Sequence, residues 1–161
     1  MALFALAGAM TLAAMAASAN APPTVSCTGI VGRDRSGHAG GNRVVLGTVS
    51  VPPAYLPQVV PSRNKAWPFF TKRGLGVRGG SPAVVVTVAK AWRRRVAITW
   101  GDSAIVSRLR IASCSAFIPP KVWNGYAGGF YLRSRSACVP LIFRVGRSAK
   151  TVRFGLAKRC A

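Results

Sequence analysis

Acid–base chemistry in this 161-residue sequence rests on three side chains: Asp34, Asp102 and the single histidine, His38. Glutamate is absent. Catalysis by a carboxylate pair needs two acids held close together. Asp34 falls in a glycine-rich polar stretch, and Asp102 sits in the tight-turn signal Gly101-Asp102-Ser103. Glycosidase and aspartic-protease chemistry are therefore not expected. A Ser–His–Asp triad would have to use His38, and no Gly-x-Ser-x-Gly elbow is present. Asp34 and His38 are two metal ligands in one loop, too few for a cage. Gly74-Leu75-Gly76-Val77-Arg78-Gly79 matches G-x-G-x-x-G. That fingerprint binds a dinucleotide only where a helix starts behind it. Here Gly80-Ser81-Pro82 and a valine-rich run follow, so a glycine-rich turn is expected. The sequence predicts no enzyme, no metal site and no small-molecule cofactor.

The remaining chemistry is that of sulfur and positive charge. Cys27, Cys114, Cys138 and Cys160 are widely spaced, with no C-x-x-C pair to suggest zinc. An even set in an exported chain reads as two disulfides. Three pairings are open. Strand parity puts Cys27 and Cys160 inward near the two ends of the chain, while Cys114 and Cys138 flank one long loop. Cys27–Cys160 with Cys114–Cys138 is the expected pattern.

Lys and Arg number 23 against 2 acids, a net charge of +21. Such a field draws polyanions: anionic cell-wall polymer, a membrane surface, or nucleic acid bound non-specifically. Trp92-Arg93-Arg94-Arg95 sets a ring beside three guanidinium groups that could grip phosphates bidentately. It equally suits a basic loop with Trp92 closing the edge of the core. Arg108 and Arg110, Arg133 and Arg135, and Arg144 recur at outward strand positions. If their strands are neighbours, one sheet face becomes a basic plate. Trp123 and Tyr126 sit in a loop, 115–127, that could either contact a partner or cover the end of the domain.

Those side chains must be positioned by strands. Val84, Val86 and Val88 alternate, as do Val96, Ile98 and Trp100, and Leu109 with Ile111. Residues 96–100 and 105–111 read as a hairpin. Val139, Leu141, Phe143 and Val145 turn at Gly146-Arg147-Ser148 and return through Val152, Phe154 and Leu156. Around Tyr55 and Leu56 one helical turn is conceivable, and Pro57 stops it. The pattern predicts an all-β chain: an immunoglobulin-like antiparallel β-sandwich of about eight strands with two disulfides. Residues 43–161 form the sandwich and 20–42 a flexible N-terminal segment.

Residues 1–19, MALFALAGAMTLAAMAASA, carry no charged side chain and end in Ala17-Ser18-Ala19. This stretch resembles a secretory signal peptide cut after Ala19. An uncleaved N-terminal anchor is the alternative. Either places the domain outside the cytoplasm, secreted or in the cell envelope.

One resemblance spans Val84 to Cys160. Leu109-Arg110-Ile111-Ala112-Ser113-Cys114, then Trp123 and Tyr126, Gly128-Gly129-Phe130, Ala137-Cys138-Val139-Pro140-Leu141 and Val152-Arg153-Phe154-Gly155 lead to Cys160. This order resembles uncharacterised exported proteins of high-GC bacteria with a C…W…GGF…C-V-P-L…C ending. The resemblance implies a secreted or envelope β-domain with paired cysteines, and it carries over no functional residues.

Overall fold

The computed structural model describes residues 21–115 and 122–161. The expected signal peptide, 1–19, lies outside the described residues, as does part of the loop 115–127. The described chain is all-β with two disulfides, and it has no α-helix. Among the described residues fifteen strands form three sheets, more than the eight or so that alternation picks out. They are β1 (Thr24–Val25), β2 (Ile30–Asp34), β3 (Arg43–Val45), β4 (Val49–Val51), β5 (Tyr55–Leu56), β6 (Val60–Pro61), β7 (Phe69–Lys72), β8 (Leu75–Arg78), β9 (Val84–Val88), β10 (Val96–Trp100), β11 (Arg108–Ile111), β12 (Trp123–Tyr126), β13 (Gly128–Leu132), β14 (Ala137–Val145) and β15 (Ser148–Leu156).

The six-stranded sheet runs β1-β11-β9-β14-β15-β5, the four-stranded sheet β10-β13-β7-β6 and the five-stranded sheet β2-β12-β8-β4-β3. The alternating apolar residues face inward in all three. Val84, Val86, Val88, Leu141, Phe143 and Phe154 of the six-stranded sheet are fully buried. They meet Ile98, Trp100, Phe130 and Leu132 of the four-stranded sheet in one continuous core. Aromatic rings tie the layers together. Phe130 lies 5.7 Å from Trp100 and 5.3 Å from Phe154 between centroids. Burying each such side chain is worth roughly 1.5–3 kcal/mol.

Two strand pairs cross from one sheet to the next. β8 pairs with β12 in the five-stranded sheet, and β7 pairs with β13 in the four-stranded sheet. Arg73-Gly74 and Ala127 are the links. Glycine is required at this corner, since a Cβ on Gly128 would lie 2.0 Å from the Thr99 carbonyl oxygen.

Several local expectations change. Within the segment expected to be flexible, 20–42, the described part carries two paired strands: β1 pairs with β11 and β2 with β12. Tyr55–Leu56 is a strand parallel to β15, not a helical turn. β10 and β11 belong to different sheets, and the expected hairpin of 96–100 with 105–111 is reduced to the single antiparallel bridge Ile98–Val106, ahead of β11. The β14–β15 hairpin forms as the sequence predicts.

The disulfides pair differently as well. The bridges are Cys27–Cys114 and Cys138–Cys160. Parity tells which way a cysteine points but not which strand lies beside it. Val25 is in register with Ile111, which carries Cys27 to Cys114. Cys138 is in register with Gly155 of β15. Past Leu156 the chain turns at Ala157, in the left-handed region at φ 52°, and folds back over Gly155. A Cβ on Gly155 would lie 2.3 Å from the Lys158 carbonyl oxygen, so glycine makes room for the tail that returns Cys160 to Cys138.

Peptide mapping without reduction is expected to recover these two pairs. Their sequence separations are 87 and 22 residues. In a chain-entropy account such loops contribute about 4.5 and about 3.5 kcal/mol. The Cys27→Ser/Cys114→Ser variant should therefore lose more stability to denaturant than Cys138→Ser/Cys160→Ser. The reverse order would contradict the loop argument.

Candidate functional site

The acid–base residues do not converge. Asp102, in the turn after β10, accepts hydrogen bonds from the Ser26 hydroxyl at 2.7 Å and the Ser26 amide at 3.2 Å. The Ser26 hydroxyl is the main cause that holds its carboxyl below the usual range. Asp34, at the end of β2, accepts from the Ser36 hydroxyl at 3.0 Å and the Gly37 amide at 2.6 Å. Partial desolvation pushes its pKa up, but the hydrogen bonds from Ser36, Gly37 and Ala39 outweigh it and the net shift is downward. His38 Nδ1 lies 3.0 Å from the Asn42 carbonyl oxygen. Asp34 and His38 serve their own loop, and Asp102 ties its turn to Ser26. Among the described residues no three His, Cys, Asp or Glu side chains gather as a metal site.

The G-x-G-x-x-G stretch is mostly strand β8, paired on both sides. It is thus neither a phosphate loop nor the turn the sequence suggests. Gly76 instead lets Ser50 approach, since a Cβ there would lie 2.8 Å from that of Ser50.

Trp123 and Tyr126 are not a contact loop. They open and close β12, with exposures of 8% and 1%. The Tyr126 ring faces the core, and its hydroxyl donates to Cys114 Sγ at 3.6 Å. Burial first, and the nearby Asp102 charge second, push the Tyr126 pKa up. The Trp123 indole points to the other side of the sheet, where Gly37 closes over it. Both residues are largely buried, and what they still show lines a groove shared with Gly32, Gly76 and Gly125. Asn124-Gly125 mimics a turn in the sequence, but both residues sit in β12, Asn124 buried and Gly125 facing Gly32 and Gly76 across the ladder. A groove of about 630 Å³ runs over these three glycines.

Positive charge does converge, in two places. The first is the outer side of the six-stranded sheet. Arg110 of β11, Val85 of β9 and Arg144 of β14 form one cross-strand row, and Arg108, Thr87 and Ile142 form the next. Arg153 of β15, which pairs with Pro140, shares the same parity and face. Arg108, Arg110, Arg144 and Arg153 are all exposed. This is the basic plate that strand parity suggests, built from Arg108, Arg110 and Arg144 and extended by Arg153. It continues past Arg153 into a pocket of about 690 Å³ lined by Arg43, Tyr55, Lys150, Thr151 and Arg159. Arg159 lies over the Tyr55 ring at 4.8 Å and Arg43 over Phe154 at 5.9 Å. The pocket escapes sequence reading because its cations come from three separate segments, β3, β15 and the C-terminal tail.

Arg93, Arg94, Arg95, Arg133 and Arg135 gather elsewhere, at one end of the four-stranded sheet. The Arg133 amide donates to the Arg95 carbonyl oxygen at 3.1 Å. Arg133 and Arg135 are thus separate from the plate formed by Arg108 and Arg110. Trp92 packs against the core edge, as a basic loop closing the core would have it, and Arg95 covers it at 4.2 Å.

The chain matches no protein-family model, no curated protein and no solved structure. Two disulfides suggest an oxidising, extracytoplasmic setting. Among the described residues no helix is long and apolar enough to cross a membrane.

Both carboxylates have lowered pKa values, so their stabilising contribution is present above the unfolded value of 3.8 and is lost as pH falls through the lower folded values. Unfolding midpoints measured downward from pH 5 should drop in the native protein. The drop should shrink in Asp34→Asn/Asp102→Asn. An identical acid limb in both proteins would show that these hydrogen bonds carry no pH-dependent stability.

Proposed function

We propose that this protein is a non-catalytic, secreted or envelope β-domain that associates electrostatically with anionic surfaces, either wall polymer or lipid headgroups. The observation that carries the reading is the shared face of Arg108, Arg110, Arg144 and Arg153 on the six-stranded sheet. Both acids of the chain are engaged elsewhere, Asp34 by Ser36 and Gly37 and Asp102 by Ser26. The plate therefore keeps its charge for an outside anion. Strands are about 4.8 Å apart, so guanidinium groups two strands apart stand about 10 Å from each other. That spacing suits a repeating anion or a headgroup layer better than one small ligand. The pocket beyond Arg153 gives the plate a concave end where an anionic group can be surrounded. Paired cysteines, the apolar run at 1–19 and the resemblance of the second half to exported proteins support an extracytoplasmic setting.

The oxidised protein should sediment with vesicles containing phosphatidylglycerol and with purified anionic wall polymer. Its affinity should fall linearly with log salt. Replacing Arg108, Arg110, Arg144 and Arg153 by Gln should flatten that slope by about one per arginine. An unchanged slope would remove the plate from the proposal. Release from both surfaces near physiological ionic strength would sink the surface-association reading itself.

A further inference from the structure

The four-stranded sheet presents a different outer face. Phe130 and Leu132 point into the core, so Tyr131 between them points out. Phe70 is its register partner on β7, and the two partly exposed rings lie 4.6 Å apart. Two residues along, Lys72 extends the same face at one end. At the other end stand Arg133 and Arg95, joined through their backbones. The order along the face is therefore cation, ring pair, cations, in steps of about 7 Å.

The arginines at that end are fixed by rings. Arg95 lies over Trp92 at 4.2 Å, Arg133 over Trp67 at 5.1 Å and Arg135 over Phe69 at 5.4 Å. Arg95 also donates from Nη2 to the Ala91 carbonyl oxygen at 3.4 Å. A guanidinium held by its face can turn its remaining edge N–H groups to a phosphate. Electrostatics alone explains a basic patch. It does not explain an outward ring pair set between the cations. A ligand that uses both has phosphates and flat rings in alternation.

We propose that this face binds single-stranded nucleic acid without sequence preference: Phe70 and Tyr131 stack a base, and Lys72 on one side and Arg95 and Arg133 on the other hold the flanking phosphates. Every base has a π face, so stacking tolerates any sequence, while a duplex keeps its bases inside. The site stands apart from the plate of the six-stranded sheet and does not depend on it.

The test compares fluorescence anisotropy of a short oligothymidylate with that of an abasic oligonucleotide carrying the same number of phosphates. The intact protein should prefer the oligothymidylate by about tenfold. Tyr131→Leu keeps apolar volume and removes the ring. It should abolish the preference while binding of the abasic strand and the near-UV circular dichroism, which reports that the fold is intact, stay the same. Phe70→Leu serves as the second variant should Tyr131→Leu fail to fold. Arg95→Gln/Arg133→Gln should weaken both strands alike. Equal affinity of the intact protein for the two strands would overturn the proposal. So would a preference that survives both ring substitutions, or one lost only when Arg108 and Arg110 are replaced. Wall polymer and vesicle binding test the plate separately, so either surface can fail alone.

Discussion

The scarcity of carboxylates governs this structure. With 23 Lys and Arg against Asp34 and Asp102, a salt bridge cannot be the general way to place a cation. Aromatic rings take that part. Arg43, Arg95, Arg133, Arg135 and Arg159 each lie over a ring. Each contact is worth about 0.5–1 kcal/mol at an exposed site. The difference from an ion pair is chemical. A carboxylate would neutralise the guanidinium, whereas a ring orients it and leaves its charge for another molecule. The two acids that exist are used as local ties. Asp102 fastens Ser26, beside the Cys27 bridge, to the turn after β10. Asp34 shapes the loop that lies on Trp123.

A chain so charged repels itself, and its compact form needs strong apolar compensation. One continuous apolar core supplies that compensation here. Only Ser50, Thr71 and Asn124 are buried among the polar residues described. The disulfides then secure what the sheets hold least well. β1 and β5 are two-residue edge strands, and both pair in parallel. Cys27–Cys114 closes beside β1, and Cys138–Cys160 holds the tail that borders β5 and carries Arg159. Each bridge thus closes near one of the two parallel edge strands.

How much was legible depends on what each signal measures. Alternation identified β9, β11, β14 and β15, because each buries one face in the core and shows the other to water. It missed β12, whose Asn124-Gly125 reads as a turn and whose Trp123 and Tyr126 look like exposed loop aromatics. That Asn124 is buried and Gly125 paired on both sides follows from contacts more than 40 residues away, with β8 and β2. Parity read the direction of Arg108, Arg110 and Arg144 correctly. It could not tell that β14 reaches β11 through β9, while Arg133 and Arg135 leave for another sheet. The disulfide pattern failed for the same reason. Facing is written locally in the chain; neighbourhood comes from the strand order, which local sequence does not encode.

That distinction changes what the charge means. Net charge alone would describe the molecule as one diffuse cation. The four-stranded and six-stranded sheets pack face to face through Phe130 and Phe154, so their outer sides point away from each other. Packed sheets are separated by about 10 Å, before the side chains on either outer face are counted. The screening length at physiological salt is about 8 Å. Each face is therefore largely screened from the other and acts with its own few cations. Affinity on either side follows from what stands on that face: four arginines and a pocket on one, arginines and outward rings on the other. A uniform basic coat would need no such division, and it would not need Phe70 and Tyr131 turned to solvent.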